Sequence, residues 1–184
     1  MKPAIFLDRD GVLNENRSDY VKTWAEVRIL PGALAALREL ARLGWPIVVI
    51  SNQSAIGRGL TTAKAVEEIN ARLARKAARA GGRIDAFYFC PHRPDEGCAC
   101  RKPAPGLLLR AARELEVDLP RSYMIGDALE DVRAALAAGC TPLLVKTGRG
   151  KSMLAKMPED LRARCHVAED LADAVAWILE REGG

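Results

Sequence analysis

AIFLDRDGVLNE, residues 4–15, decides how the chain is read: an apolar run leads straight into two carboxylates, Asp8 and Asp10, one residue apart, and Gly11 then lets the backbone turn. A short apolar run closed by acidic residues and a glycine is the pattern of a buried strand ending in a turn. It recurs along the chain. Further strands are expected at 46–50, 86–89, 123–125 and 142–145, with 166–168 as a short sixth. Helical stretches separate them. Leu34, Leu37, Leu40 and Leu43 repeat at intervals of three within 32–43 and stop at Gly44. Thr62 is placed to cap a helix running to about Ala80, before Gly81 and Gly82. Stretches 105–116, 129–138 and 169–181 complete the set, while 14–30, 51–61, 91–103 and 146–158 read as irregular. Strands alternating with amphipathic helices predict an α/β fold, a Rossmann-like three-layer α/β/α domain with a mainly parallel sheet.

Composition sets bounds on what such a domain does. The 184 residues, 49% of them hydrophobic, suit a single domain over 1–184 with a sizeable core. The net charge of +4 is spread among acidic residues, a weak pointer to anionic ligands. No aromatic-basic stripe for a nucleic-acid strand is present, so no nucleic-acid partner is expected. No apolar run reaches the roughly 20 residues that cross a bilayer, and the first residues lack the apolar core of a signal peptide. A cytoplasmic monomer away from the membrane is the expectation.

In open α/β sheets, ligand sites lie beyond the carboxyl ends of the strands. Four strands deliver chemistry there: Asp8 and Asp10 after the first, Ser51 and Asn52 after the second, Arg101 and Lys102 after the third, and Asp127 with Asp131 after the fourth. Each alone is an ordinary turn or cap residue; together they form a set. Asp8, Asp10 and Asp127 in one small volume repel one another without a cation, and oxygen-only ligands favour a hard ion such as Mg²⁺. A carboxylate beside such an ion is suited to attack phosphorus. Asp8 is then the nucleophile, Asp10 the acid and later the base, and Lys102 and Ser51 the partners of the remaining phosphoryl oxygens.

Residues 90–100, CPHRPDEGCAC, carry a second constellation. Cys90, His92, Cys98 and Cys100 offer three thiolates and one imidazole, a set suited to tetrahedral Zn²⁺ with no open position and therefore a structural role. Arg101 and Lys102 follow Cys100 directly, so this zinc-binding loop would hold both cations at the phosphate site. Cys140 and Cys165 read as core residues, and His166 has no visible role.

FLDRDGVLN, ISNQS, RKPAPG and IGDALED match, in order, the four motifs of the haloacid dehalogenase (HAD) superfamily, with Val12 where a threonine is usual. The resemblance implies phosphomonoester hydrolysis through an aspartyl-phosphate on Asp8. It also implies Mg²⁺ held by Asp8, the backbone carbonyl of Asp10 and Asp127, with Asp131 supporting the site from behind. The zinc loop makes the chain similar to the D-glycero-D-manno-heptose 1,7-bisphosphate 7-phosphatases and the related histidinol-phosphate phosphatases. That likeness implies a small sugar phosphate as substrate, in the synthesis of nucleotide-activated heptose for lipopolysaccharide core or surface glycan. It assigns substrate contacts to the turn at 8–10, to 16–19, to Ser51, Asn52, Gln53 and Ser54, and to Arg101 and Lys102. Ala128 stands where relatives often carry lysine. A histidinol-phosphate phosphatase and a non-catalytic zinc-stabilised binding module are the alternatives. About 40 residues separate Asp10 from Ser51, most of them taken by the leucine-repeat helix, so no separate cap domain is expected and substrate choice falls to the loops.

Overall fold

The computed structural model describes residues 1–183. Six strands, β1 (Ile5–Leu7), β2 (Ile47–Asn52), β3 (Ala86–Cys90), β4 (Tyr123–Gly126), β5 (Thr141–Val145) and β6 (His166–Ala168), form one sheet in the order β3-β2-β1-β4-β5-β6, every pair parallel. β1 lies at the centre, with Ile5 beside Ile47 and Tyr123, and Leu7 beside Val49 and Ile125.

Side chains alternate across β1, and the two faces build two cores. Ile5 and Leu7 join Ile47, Val49, Ile125 and Val145 beneath Leu37 and Leu40 of α1 (Ala33–Ala41) and Val175 and Ile178 of α7 (Leu171–Glu182). Phe6 points the other way, with Val48, Ile50 and Met124, onto Leu107, Leu108 and Ala111 of α3 (Gly106–Leu115) and Ala134 and Ala135 of α4 (Leu129–Ala138). This is the three-layer sandwich expected. Each fully buried leucine contributes about 1.5–3 kcal/mol of transfer free energy. A smaller cluster, Val21 and Val27 against Ile69 and Leu73, pins the loop after β1 onto α2 (Ala63–Arg79).

Local chemistry sets the boundaries. Thr62 Oγ1 accepts the Ala65 N–H at 3.1 Å and starts α2 as read from the sequence. The last helix starts at Leu171 rather than 169, because Asp170 is its cap and its Oδ1 accepts the Asp173 N–H at 2.9 Å. β2 runs two residues further than expected: Ser51 pairs with Phe89 and Asn52 with Cys90, so the site residues are the tip of the strand itself. The segment 146–158 is not wholly irregular, since it contains α5 (Gly150–Leu154), which is followed by α6 (Glu159–Arg162). Between β1 and β2 there is only a 3₁₀ turn, Trp24–Glu26, and α1, which leaves no room for a cap domain.

The strand order reverses direction of winding at β1 and β4, and the crevice at such a switch point is where an open α/β sheet binds its ligand. Asp8, Arg9, Ser51, Gln53, Ser54, Lys102, Asp127 and Asp131 are all buried polar residues, and all follow or end strands at that edge.

Candidate active site

Asp8 directly follows β1, and its N–H donates to the Ile125 carbonyl of the neighbouring strand at 2.9 Å. Lys102 Nζ lies 2.9 Å from Asp8 Oδ1 and 2.7 Å from Asp131 Oδ1, and donates to the Ile50 carbonyl at 2.6 Å, with only 3% of the lysine exposed. Burial works against the lysine's charge, yet Asp131 and Asp8 outweigh it and hold the ammonium protonated above its ordinary range. Burial pushes the Asp8 carboxyl up to about 8; Lys102 pulls against this, while Asp131, Asp127 and Asp10 add to it. The cluster thus holds more carboxylate than its one ammonium balances.

Asp127 follows β4. Its Oδ2 accepts the Asn16 side-chain amide at 2.5 Å and the Arg149 backbone N–H at 2.8 Å, while its Oδ1 is buried with no hydrogen-bond partner. Burial, with Asp131 beside it, pushes this carboxyl up to about 6, against the pull of the Arg149 N–H. An orphaned carboxylate oxygen in a surplus of negative charge is a place for a cation. One oxygen each of Asp8, Asp127 and Asp131 lie within 4.8 Å of one another. Both Asp131 oxygens are already engaged, Oδ1 by Lys102 and Oδ2 by the Ala128 N–H at 3.1 Å, so Asp8 and Asp127 are the carboxylates free to hold it.

Asp10 points elsewhere. Its carboxylate accepts from Arg9 Nη2 at 3.0 and 3.1 Å, from Asn14 Nδ2 at 2.8 Å and from Gln53 Nε2 at 2.9 Å, so any share it has in a cation falls to its backbone carbonyl. Gly11 makes the parting of Asp8 and Asp10 possible. Its φ of +92° is left-handed, and a Cβ there would sit 2.1 Å from Asp127 Oδ2.

Asn52 and Gln53 are engaged with these groups. Asn52 Nδ2 donates to the Lys102 carbonyl at 3.0 Å and its Oδ1 accepts the Lys102 N–H at 3.1 Å. Gln53 Oε1 accepts from Arg9 Nη2 at 3.1 Å while its amide holds Asp10. Ser51 and Ser54 are buried beside them, and Asn52, Gln53, Ser54 and Arg101 line a cavity of about 970 Å³ that opens over Asp8.

Cys90 ends β3, and the loop after it folds back so that Sγ of Cys90, Cys98 and Cys100 lie 3.2–3.5 Å apart, with His92 Nδ1 3.5 Å from Cys90 and 3.3 Å from Cys100. The ligands of a tetrahedral zinc with Zn–S bonds of about 2.3 Å stand roughly 3.8 Å apart, so these four donors fit the ion. Burial pushes the Cys90 thiol up to about 12; burial also opposes ionisation of Cys98, but hydrogen bonds from Cys100 and Cys90 bring it down to about 7. Arg101, next in the chain, donates to the His92 carbonyl at 3.4 Å.

Two contributors, Arg9 and the segment 147–149, escape a sequence reading, and Asn16, expected with 16–19 among the substrate contacts, also holds Asp127. Arg9 is fully buried behind Asp10; it lies between two recognised carboxylates but carries no pattern of its own. Asn16 and the segment 147–149 close over Asp127, and Thr147 Oγ1 donates to the Gly11 carbonyl at 2.6 Å. The latter follows β5, so the same strand-end rule applied to the fifth strand would have found it.

Comparison with known proteins agrees with this geometry. Residues 99–174 match the family described as "HAD-hyrolase-like". The chain is 43% identical to the D-glycero-beta-D-manno-heptose-1,7-bisphosphate 7-phosphatase of Bordetella bronchiseptica over 96% of its own length and 97% of that protein's. It is 40% identical to the enzyme of the same name from Pseudomonas aeruginosa, over 97% and 99%. The crystal structure of the B. bronchiseptica D,D-heptose 1,7-bisphosphate phosphatase, complexed with magnesium and phosphate, superposes with a TM-score of 0.91 at 43% identity, covering 98% of this chain and 99% of that one. The chain belongs to the HAD-like hydrolases, in the family of the heptose 1,7-bisphosphate 7-phosphatases.

Proposed function

We propose that residues 1–184 form one hydrolase domain that removes the 7-phosphate of D-glycero-D-manno-heptose 1,7-bisphosphate, leaving heptose 1-phosphate for nucleotide activation toward lipopolysaccharide core or surface glycan. The observation that carries the reading is the buried cluster of Asp8, Lys102, Asp131 and Asp127 at the switch point, roofed by a cavity large enough for a sugar phosphate. The named relatives supply the substrate.

An Asp8 oxygen attacks phosphorus as the ester bond to the sugar breaks, and Asp10 gives its proton to the departing sugar oxygen. Asp10 then takes a proton from the water that attacks the phosphoryl group on Asp8, releasing phosphate and restoring the carboxylate. Lys102 and Ser51 hold the phosphoryl oxygens. Arg9, Asn14 and Gln53 aim Asp10, and Asn52 aims Lys102. Asp8, Asp127 and the Asp10 carbonyl would hold Mg²⁺, which would offset the repulsion between the attacking carboxylate and the phosphoryl oxygens. Cys90, His92, Cys98 and Cys100 would hold a structural Zn²⁺ that would brace Arg101 and Lys102, with Arg101, Gln53 and Ser54 facing the rest of the sugar bisphosphate. The reading is of a cytoplasmic monomer that acts without a nucleic-acid or membrane partner; among the described residues no helix is long and apolar enough to cross a membrane.

The test is phosphate release with Mg²⁺ across a substrate panel. Heptose 1,7-bisphosphate should be hydrolysed at least about tenfold more efficiently than histidinol phosphate or fructose 1,6-bisphosphate, a difference near 1.4 kcal/mol. Comparable rates reject the specificity; activity retained by Asp8→Asn rejects the nucleophile.

A further inference from the structure

Four cations line the cavity, and they differ in what else they hold. Lys102 lies at the floor, bonded to Asp8, Asp131 and the Ile50 carbonyl, where the reacting phosphate sits. Arg17 is paired with Asp19 at 3.0 Å, and Arg101 leans on the His92 carbonyl at 3.4 Å. Arg149 stands apart. Its side chain is 54% exposed, and the one carboxylate in ion-pair range among the described residues, Asp127 Oδ2, lies 3.8 Å from Nε, too far for a hydrogen bond.

The base of this side chain is nevertheless fixed. The Arg149 N–H donates to Asp127 Oδ2 at 2.8 Å, and Thr147 Oγ1 ties the same loop to the Gly11 carbonyl at 2.6 Å. Gly148 packs so closely, at φ +57°, that a Cβ would meet Asp127 Oδ2 at 2.3 Å. A free guanidinium on an anchored backbone is prepared to bind rather than to swing.

Position in the sheet says what it would bind. The loops after β3 and β5 lie on opposite sides of β1, so Arg101 and Arg149 flank the nucleophile. With strands about 4.8 Å apart, β5 is roughly 10 Å from β1. That is the reach of a sugar carrying phosphates at its two ends, one over Asp8 and the other at the rim. The α4 side of the same wall offers no cation, since it presents uncharged Ala128 and acidic Glu130. We propose that Arg149 anchors the second, non-reacting phosphate of the substrate through its two-pronged guanidinium and thereby sets the preference for a bisphosphate. The inference rests on the functional reading above and adds a specificity-determining residue to it.

The experiment compares heptose 1,7-bisphosphate with heptose 7-phosphate, which differ only in that second phosphate, on wild type, Arg149→Met and Arg149→Lys. The backbone bond to Asp127 survives either substitution. Wild type should favour the bisphosphate. Arg149→Met should lower kcat/KM for the bisphosphate about 10- to 100-fold, the loss expected for one charge-assisted contact, chiefly through KM. The 7-phosphate should change by less than about threefold, and Arg149→Lys should recover part of the preference. Equal losses on both substrates, or an undiminished preference in Arg149→Met, would overturn the assignment while leaving the activity standing. A wild type that hydrolyses both alike would overturn the assignment and the bisphosphate reading together.

Discussion

Replacing Lys102 by methionine keeps the length of the side chain and removes the only ammonium from the carboxylate cluster. Three contacts go at once: Asp8 at 2.9 Å, Asp131 at 2.7 Å and the Ile50 carbonyl at 2.6 Å, all in a region where the lysine is 3% exposed. Removing one partner of a buried ion pair destabilises a protein by about 3–5 kcal/mol, because the remaining charge stays buried. The carboxylates have an escape, which is to take up protons. Asp8, already pushed up to about 8 with the lysine present, is pushed higher without it. A carboxyl whose folded pKa lies above its unfolded one stabilises the fold at low pH and loses that contribution as pH rises through the folded pKa. The defect of Lys102→Met is therefore near the lower end, about 3 kcal/mol, at pH 6, and grows between pH 6 and 9. Urea unfolding of the zinc-loaded, magnesium-free protein at these two pH values measures it. A double-mutant cycle with Asp131→Asn should show coupling of about 1–3 kcal/mol. A loss below about 1 kcal/mol that is flat with pH would refute the claim that this ammonium balances the cluster.

Two further perturbations address Gly11 and the zinc loop. Gly11→Ala would place a methyl 2.1 Å from Asp127 Oδ2 and 2.6 Å from Asn16 Nδ2, forcing the carboxylate back by about 1 Å; kcat/KM should fall about 100-fold, and wild-type kinetics would contradict the geometry. Elemental analysis should find about one zinc per chain, and removing it with a chelator, or by Cys100→Ser, should lower the melting temperature and the activity together; metal well below one per chain in active protein would refute the structural role.

How much of this was legible in the sequence follows from how far each signal travels along the chain. Strand β1 could be read because its three residues are buried on both faces, and the site carboxylates could be read because Asp8 and Asp127 directly follow strands. The three cysteines and the histidine proposed to hold zinc lie within eleven residues, so their spacing speaks for itself. Arg9 could not be read: its role depends on Gln53, 44 positions away, and a charged residue beside two carboxylates looks like a surface residue until its burial is known. The hold of Arg149 on Asp127 runs through a backbone N–H, which carries no residue signature. Helices α5 and α6, of five and four residues, are too short to show a 3.6-residue period.

The tip of β2 shows why these separate pieces act as one site. Successive residues of an extended chain send their side chains to opposite sides. Asn52 therefore reaches one way, clamping both backbone groups of Lys102, while Gln53 reaches the other, to Asp10 and Arg9. The Gln53 N–H also donates to the carbonyl of Cys90 at 2.8 Å, the first residue of the proposed zinc loop. A single strand end thus links the cysteine loop, the Lys102 ammonium beside Asp8 and the Asp10 carboxylate, to which the proposed mechanism gives the proton transfer. The linkage passes through consecutive residues, Asn52 at the end of β2 and Gln53 just beyond it, so a shift of Lys102 relative to Asp10 disturbs the end of that strand. Flanked by β1 and β3, with five of its six residues buried, β2 resists that disturbance, which is how a site without a cap keeps these groups in place.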